Sequence, residues 1–450
     1  MEKKAQLKRN AITRRGFLRD AGVLAAASVF MTPRAVCDTP KKSGRPSSFG
    51  KAKSVIQIWF WGGISQIDTL DPKPNAGYDY CGNLNKTVKT NVDGLELGQL
   101  LPELAKCADK YAVLRGLTHG QNAHETGAYL VQTGRMPGRY VYPCAGAVVS
   151  KFKGYDAGYK GMIPPYIVLT QPMGRFSEAG FLGTRYKPFA TGADPSRTPF
   201  EVEGIVARGI SRQRQEMRRK FLDDIATFKK AHANSEYLDK SKESVEQAYD
   251  LILGDAGKVF DISMENPKLC DAYGRNWFGN SCLIARKLVE AGVPYVTINY
   301  NGWDTHKNHF QQMQRMLPIT DKAVSSLIND LSQRGLLDST IVWWSSEFGR
   351  TPRIQWDPPY SGGRHHHGDA FSGLLAGGGF KGGIVVGETD SKSMYVVKRP
   401  TSPSDVIGSI YANLGIPTDA MLTTPQGEQV RLIPESEAGI KSDGLLYEIM

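Results

Sequence analysis

Short apolar runs, each followed by glycine or polar residues, recur along most of the chain. The first, Val55–Trp61, carries no charge and ends at Gly62-Gly63, as expected for a strand of a parallel sheet that is buried on both faces. Similar runs predict further strands at Ala112–Leu114, Pro165–Leu169, Val293–Tyr300, Thr340–Trp344 and Phe371–Leu375. Amphipathic patterns between these runs predict helices, among them Asn276–Ala291 and Pro318–Gly335. The alternation predicts an α/β fold with a mostly parallel sheet flanked by helices.

Two segments interrupt this alternation and suggest the domain boundaries. A linker rich in Pro, Lys and Ser covers residues 38–53, so the α/β domain is expected to occupy residues 54–450. Between about 200 and 262 the composition becomes charge-dense and helix-forming, with basic and acidic residues interleaved. We therefore expect a solvated helical insertion there, and no nucleic acid is predicted as a partner.

The positive charge is concentrated at the N-terminus. The chain has 450 residues and a formal net charge of +11, of which residues 1–37 contribute +6 from eight basic and two acidic residues. The uncharged stretch Ala21–Met31 is too short to span a bilayer as a helix. The preceding Thr13-Arg14-Arg15-Gly16-Phe17-Leu18-Arg19 resembles a twin-arginine (Tat) export signal. This resemblance implies a protein exported in folded form to the periplasm or cell surface, with no transmembrane segment beyond the signal.

The overall composition is that of an ordinary globular protein. Hydrophobic residues make up 40% and charged residues 22% of the chain, which excludes a disordered, collagen-like or polytopic membrane protein. Six cysteines without a C-x-x-C pair are too few and too scattered for a disulfide scaffold or a zinc knuckle. Functional chemistry is therefore sought in the loops at the strand ends.

Polar side chains that follow apolar strands are the candidates for chemistry, because ligands of such sheets bind beyond the carboxyl ends of the strands. Asp68 and Asp71 follow the first strand, where they suit either a ligand site or Asx-type turns. Asp304 and His306 follow the strand ending at Tyr300, and a carboxylate with an imidazole can bind a divalent metal or act as a base and its orienting partner.

Two later loops and one helix start add further candidates. Glu347 and Arg350 could bind a metal and an oxyanion respectively, or form a structural ion pair. Three consecutive histidines, His365–His367, hint at metal affinity, and side-chain alternation predicts that one of them faces a common site. His124 is expected near the start of a helix, whose N-terminus would favour an anion.

These blocks together resemble the DUF1501 family, which is related to the alkaline phosphatase and sulfatase superfamily. The motifs that carry the resemblance are Gly62-Gly63-Ile64-Ser65-Gln66-Ile67-Asp68-Thr69-Leu70-Asp71-Pro72-Lys73, Gly302-Trp303-Asp304-Thr305-His306, Glu347-Phe348-Gly349-Arg350-Thr351-Pro352 and Leu375–Gly383, with His366 at the position of the family's late histidine. The resemblance implies an alkaline phosphatase/sulfatase-like fold and a divalent metal ion held by Asp304, His306, Glu347 and His366, with Asp68 reaching in from its loop. It places His124 at the nucleophile position, as nucleophile or general acid, and Arg350 as a clamp for the ester oxyanion.

The chain departs from the superfamily at two positions. Phe348 stands where a metal-binding histidine is usual, and Trp61 or Gly62 stands where an aspartate is expected after the first strand. The resemblance implies hydrolysis of a sulfate or phosphate ester, for example on a polysaccharide. The two departures favour the alternative, a non-catalytic protein of the same fold that binds a carbohydrate or a cell-surface partner.

Overall fold

A computed structural model of the chain describes residues 45–171, 178–192, 194–196, 255–435, 437 and 439–450, and five positions between 213 and 221. The twin-arginine segment and most of the helical insertion predicted at 200–262 lie outside the described residues. No helix among the described residues is long and apolar enough to cross a membrane.

The described strands and helices are numbered here in chain order. The strands are β1 (Ser54–Trp61), β2 (Thr87–Lys89), β3 (Glu96–Gly98), β4 (Tyr111–Leu117), β5 (Tyr166–Leu169), β6 (Phe189–Ala190), β7 (Tyr295–Asn301), β8 (Thr340–Ser345), β9 (Gly349–Arg350), β10 (His366–His367), β11 (Phe371–Ala376), β12 (Val385–Val386), β13 (Glu388–Thr389), β14 (Val396–Lys398), β15 (Met421–Thr423) and β16 (Gln429–Arg431). The helices are α1 (Tyr78–Cys81), α2 (Pro102–Ala105), α3 (His124–Thr133), α4 (Ala145–Val149), α5 (Pro267–Tyr273), α6 (Trp277–Glu290), α7 (His309–Gln333) and α8 (Pro403–Asn413).

A large sheet forms the centre of this α/β fold, with the strand order β12-β4-β11-β8-β1-β7-β5-β6. Strand β1 is parallel to both of its neighbours, β7 and β8, and β5 is parallel to β6 and β7. Only β11 runs antiparallel to its neighbours within this sheet as described. The sheet is therefore mostly parallel, as the apolar runs predict.

The two faces of the sheet are covered by separate hydrophobic clusters. On β1, Ile56 and Ile58 belong to one cluster, whereas Val55 and Trp59 belong to the other. Helices α6 and α7 contribute to the first cluster, and α3 and α8 contribute to the second. This alternation within an uncharged strand confirms burial on both faces.

The six predicted strands are all present, and α6 matches its prediction to within one residue at each end. Helix α7 begins at His309, whereas the sequence predicted a start at Pro318. Pro318 can lie inside this helix because it is exposed, as is Gln314, whose carbonyl group loses its helical partner and is left to water. The correction places His309 in the first turn of a helix rather than in a loop.

Candidate metal centre

The candidate site lies at the edge of the sheet where β1, β7 and β8 end. These three strands are parallel neighbours, with Trp61 opposite Asn301 and Trp59 opposite Ser345. The loops that follow them therefore leave the sheet side by side. Strand β10 adds a further segment, because His366 pairs with Arg350 in β9.

Three side chains at this edge could hold one metal ion. His124, Asp304 and His366 each offer a ligand atom, and these atoms lie within 4.8 Å of one another. The Nε2 atom of His366 is 3.1 Å from Asp304 Oδ1, and Nε2 of His124 is 3.4 Å from Asp304 Oδ2. Imidazole nitrogens and a carboxylate oxygen are a ligand set suited to a divalent transition metal such as zinc.

His306 extends the group, as the sequence predicted. Its Nε2 atom is 3.0 Å from Asp304 Oδ1 and 2.9 Å from His366 Nε2. Burial, together with the charge of Arg350, lowers the pKa of His306 to about 4. The ring is therefore neutral near pH 7, which is the form that binds metals.

His366 is oriented by a backbone group that could not be identified from the sequence. Its Nδ1 donates a hydrogen bond to the carbonyl oxygen of Asn122, at 2.6 Å. In a neutral imidazole this leaves Nε2, which faces Asp304, with a free lone pair. A ring whose second nitrogen is fixed in this way is typical of metal-binding histidines.

Glu347 carries an unpartnered oxygen in the interior. Its side chain has no exposed area, and Oε1 accepts hydrogen bonds from the backbone N–H of Gly62, at 2.8 Å, and from His124 Nδ1, at 2.7 Å. Among the described residues, Oε2 has no hydrogen-bond partner. A buried carboxylate oxygen without a partner is costly, and a cation would satisfy it. Glu347 itself is not in the group formed by His124, Asp304 and His366, and contacts that group through His124.

His124 is the first residue of α3, as expected from the sequence, and lies between two carboxylates. Hydrogen bonds to Asp304 and Glu347 raise its pKa to about 9. Its ring is also stacked on Trp61, with ring centroids 5.6 Å apart. The ring is thus held protonated beside Asp304 near pH 7, a form that can donate a proton but must lose it before Nε2 can bind a metal.

The structure assigns Arg350 a different position from the one that the sequence suggested. Its side chain is fully buried and donates to Gly62 O at 2.9 Å, to Asp304 Oδ1 at 2.8 Å and to the carbonyl oxygen of Arg364. It has no open face with which to clamp an ester oxyanion. Instead it orients Asp304: burial raises the pKa of Asp304, but the hydrogen bond from His124 and the charge of Arg350 hold it well below its usual range.

Asp68 also lies away from the position that the family resemblance implies. It is not in the group formed by His124, Asp304 and His366. Its buried carboxylate is instead bound by His309 Nε2, at 2.8 Å, and by Arg364 Nε, at 3.0 Å. Because these partners occupy its oxygens, Asp68 supports the site through them and does not reach into it.

The histidine run contributes more than the alternation rule predicted. His365 Nδ1 lies 2.9 Å from His306 Nδ1, so His365 and His366 both contact His306, whereas His367 is turned to the carbonyl oxygen of Met394. The reason is that β10 begins only at His366, so the pleat does not extend to His365.

The two departures from the superfamily pattern have clear structural counterparts. Phe348 is buried and stacks on His366, with ring centroids 4.5 Å apart and planes 26° apart. At Gly62, a Cβ atom would lie 2.2 Å from the backbone nitrogen of Asp304. The space that a side chain would need after the first strand is therefore filled by the loop that carries Asp304.

One protein-family model matches most of the chain. The model of DUF1501, described as a protein of unknown function, matches residues 52–441. None of the curated proteins compared matches the chain.

Similar solved structures include the lipoteichoic acid synthase LtaP from Listeria monocytogenes, which is 9% identical, with a TM-score of 0.38 over 87% of this chain and 78% of that one. A protein in the alkaline phosphatase superfamily from Vibrio parahaemolyticus is 11% identical, with a TM-score of 0.38 over 90% and 76% of the two chains. The PsFucS1 sulfatase from Pseudoalteromonas sp. is 16% identical, with a TM-score of 0.35 over 82% and 68%. Because these TM-scores are below 0.5, the fold assignment rests on the sheet and helices of this chain itself.

Proposed function

We propose that this chain, which belongs to the DUF1501 family because the family model matches residues 52–441, is a metal-dependent hydrolase of phosphate or sulfate esters. The observation that carries the proposal is the convergence of Asp304, His306 and His366, whose facing atoms lie 3.0 Å (Asp304 to His306), 2.9 Å (His306 to His366) and 3.1 Å (Asp304 to His366) apart. The unpartnered Oε2 of the buried Glu347 adds to it. The motif resemblance to the alkaline phosphatase and sulfatase superfamily supports the same class of reaction.

Four side chains would hold the cation. Asp304, His306 and His366 offer one oxygen and two nitrogens, and Glu347 offers its unpartnered oxygen. A divalent cation bound there would supply Lewis acidity toward an ester oxygen. Arg350 keeps Asp304 ionised and oriented, so it acts through that carboxylate and does not touch the ester.

His124 is the group that faces the reacting ester in this proposal. Water adds to the phosphorus or sulfur atom and releases a proton to the solvent, the bond to the alcohol oxygen breaks, and His124 donates its proton to that oxygen; His124 then takes up a proton from the solvent. The two carboxylates beside it, Glu347 and Asp304, favour the protonated ring. The first backbone N–H groups of α3, which lack a side-chain cap, are suited to the ester's negative charge.

The proposal is tested with the exported protein on nitrophenyl phosphate and nitrophenyl sulfate, before and after metal removal. We expect metal-dependent turnover of one of them, and loss of turnover with retained metal in His124→Gln. An inert metal-loaded protein overturns the proposal for both ester classes. Loss of metal from His124→Gln would instead make His124 a ligand and leave the proton to another donor.

The ester that we propose belongs to a polysaccharide outside the cytoplasm. The ring of Tyr78 supports this, because one of its faces stacks on Trp356, with ring centroids 5.0 Å apart, and the residue is 61% exposed. Flat exposed rings suit the apolar face of a sugar. We expect Tyr78→Ala to raise the KM for a polysaccharide ester and to leave the KM for a nitrophenyl ester unchanged. A KM for the polysaccharide ester equal to that of wild type would contradict a role for Tyr78 in sugar binding.

A second candidate function is binding of the same carbohydrate or cell-surface partner without turnover. It is favoured by Phe348, which cannot bind a metal, and by Gly62, which supplies no carboxylate after the first strand. A glycan-binding screen on the metal-loaded protein separates the two functions. Tight binding of a sulfated or phosphorylated glycan that remains intact would support the binding protein.

A further inference from the structure

A buried chain of three side chains runs behind the candidate metal centre. Asp68 Oδ2 accepts a hydrogen bond from His309 Nε2 at 2.8 Å, and His309 Nδ1 is 2.6 Å from the hydroxyl oxygen of Thr305. The three residues are 2%, 0% and 5% exposed. None of them touches the site as a ligand, and the proposed reaction does not use them.

The direction of the hydrogen bonds in this chain follows from the chemistry of its members. The Asp68 carboxylate only accepts, so His309 must donate from Nε2. Burial lowers the pKa of His309 to about 4, so the ring is neutral and its Nδ1 is an acceptor. The hydroxyl of Thr305 therefore donates to Nδ1, and a hydroxyl is required at that position.

Arg364 closes the chain into a ring. Its Nε and Nη2 atoms lie 3.0 and 3.2 Å from the carboxylate of Asp68, and its backbone N–H donates to the carbonyl oxygen of Thr305 at 3.1 Å. The Ser65 hydroxyl adds a 2.5 Å bond to the same carboxylate. Both the side chain and the backbone of Thr305 are thus fixed by one buried carboxylate and its partners.

Two residues of this hydrogen-bonded ring adjoin the candidate metal ligands in the sequence. Thr305 lies between Asp304 and His306, and Arg364 immediately precedes His365 and His366. Within the loop that carries Asp304 and His306, Thr305 N donates to Trp303 O and His306 N donates to Asp304 O, and the long-range backbone bonds lie toward its ends, from Trp303 N to Trp61 O and from Asn308 N to Tyr360 O. A long-range anchor at Thr305 sets the directions of the side chains on both sides of it.

We propose that Asp68, His309 and Thr305 are positioning residues, which orient Asp304 and His306 for the metal through the hydroxyl of Thr305. The inference rests on the proposed function as far as the metal is concerned. It gives Asp68 a role that its sequence motif did not suggest, because the carboxylate acts on the metal ligands through His309 and Thr305. Loss of such a supporting contact typically lowers metal affinity by about tenfold to a hundredfold.

The test uses Co²⁺ as the probe, titrated into the metal-free full chain and followed by its visible absorption. Thr305→Val keeps the shape and removes the hydroxyl, and we expect about tenfold weaker Co²⁺ binding with a shifted spectrum. Thr305→Ser restores the hydroxyl and should restore both affinity and spectrum. Thr320→Val is the matched control, because Thr320 is also a buried threonine and its hydroxyl donates to Met316 O within α7.

His309→Gln is a second variant that keeps the fold's contact with Asp68. The amide of glutamine can still donate to Asp68, but it offers no acceptor in the place of Nδ1. We therefore expect His309→Gln to bind Co²⁺ as weakly as Thr305→Val does. Affinity and spectrum equal to wild type in Thr305→Val and His309→Gln would overturn the inference.

A wild-type chain that binds no Co²⁺ would reject the proposed metal function and not this inference. In that case the imidazole ¹⁵N signals of His306 and His366 in the metal-free chain decide. The signals should shift in Thr305→Val and lie at their wild-type positions in Thr305→Ser. Wild-type signals in Thr305→Val would overturn the positioning role.

Discussion

At Gly62 the chain leaves β1 with a φ of +113°, and this residue determines where Asp304 can lie. Its N–H donates to Glu347 and its carbonyl oxygen accepts from Arg350, so it bonds to two residues of the candidate centre. Any side chain here would meet the backbone of Asp304. A glycine thus takes the place of a carboxylate and lets the neighbouring loop bring its own carboxylate in.

Gly62→Ala should therefore destabilise the protein strongly. The methyl group would have to displace the Asp304 backbone in addition to adopting an unfavourable φ, so we expect a loss of about 3 kcal/mol in the free energy of unfolding. Gly292→Ala is the control, since Gly292 has a φ of +87° with nothing within 4 Å of the added atom. It should lose only about 1 kcal/mol. Equal losses in urea unfolding would show that the contact with Asp304 costs nothing.

Among the elements, the contact between α7 and α2 illustrates how a buried carboxylate replaces a helix cap. Asp321 in α7 accepts hydrogen bonds from the backbone N–H groups of Glu103, at 2.8 Å, and Leu104, at 2.7 Å, in the first turn of α2. Burial nevertheless dominates and raises the pKa of Asp321 to about 6. The folded state therefore favours protonation of Asp321 more than the unfolded state does.

This pKa shift predicts that acidification stabilises the folded protein. The folded pKa lies above the unfolded value of 3.8, so the stabilisation is full below pH 3.8 and is lost as the pH rises through 6. At about 1.4 kcal/mol per pKa unit, Asp321 should add about 2 to 3 kcal/mol to the free energy of unfolding between pH 7 and pH 4. Asp321→Asn should remove that part of the pH dependence, and Asp338→Asn, at an exposed position, should leave it as in wild type. An unchanged pH dependence in Asp321→Asn would contradict the assignment.

Elements with a strong local signal were predictable from the sequence, and contacts between loops were not. All six predicted strands could be identified from their apolar runs. A strand buried on both faces carries this signal in its own residues, whatever it packs against. The grouping of Asp304, His306 and His366 followed from their places at neighbouring strand ends. Asp68 and Arg350 could not be placed correctly, because only the folded loops determine whether a charge faces a cavity or another charge.

For the molecule as a whole, the excess of positive charge has a local origin. Residues 1–37 hold +6 of the +11, and this segment lies outside the described residues. The remainder carries +5, which gives no reason to expect a nucleic acid partner. We propose that the charge serves export through the twin-arginine motif, and that the protein works in the periplasm or at the cell surface.

Export is tested by the pair Arg14→Lys and Arg15→Lys, which keeps the charge and removes the arginines. We expect the doubly substituted chain to remain in the cytoplasm when cells are fractionated. The control is Lys3→Arg with Lys4→Arg, which alters two basic residues outside the motif and should be exported normally. Export of the Arg14/Arg15 variant at the wild-type level would exclude this route.

The most direct test of the central claim is the metal content of the purified full chain after dialysis against Zn²⁺ and then against buffer. We predict about one Zn²⁺ per chain in wild type and in Asp271→Asn, whose exposed carboxylate is also paired with an arginine, and none in Asp304→Asn. A wild-type chain that retains no Zn²⁺, or an Asp304→Asn chain that retains as much as wild type, would contradict the account.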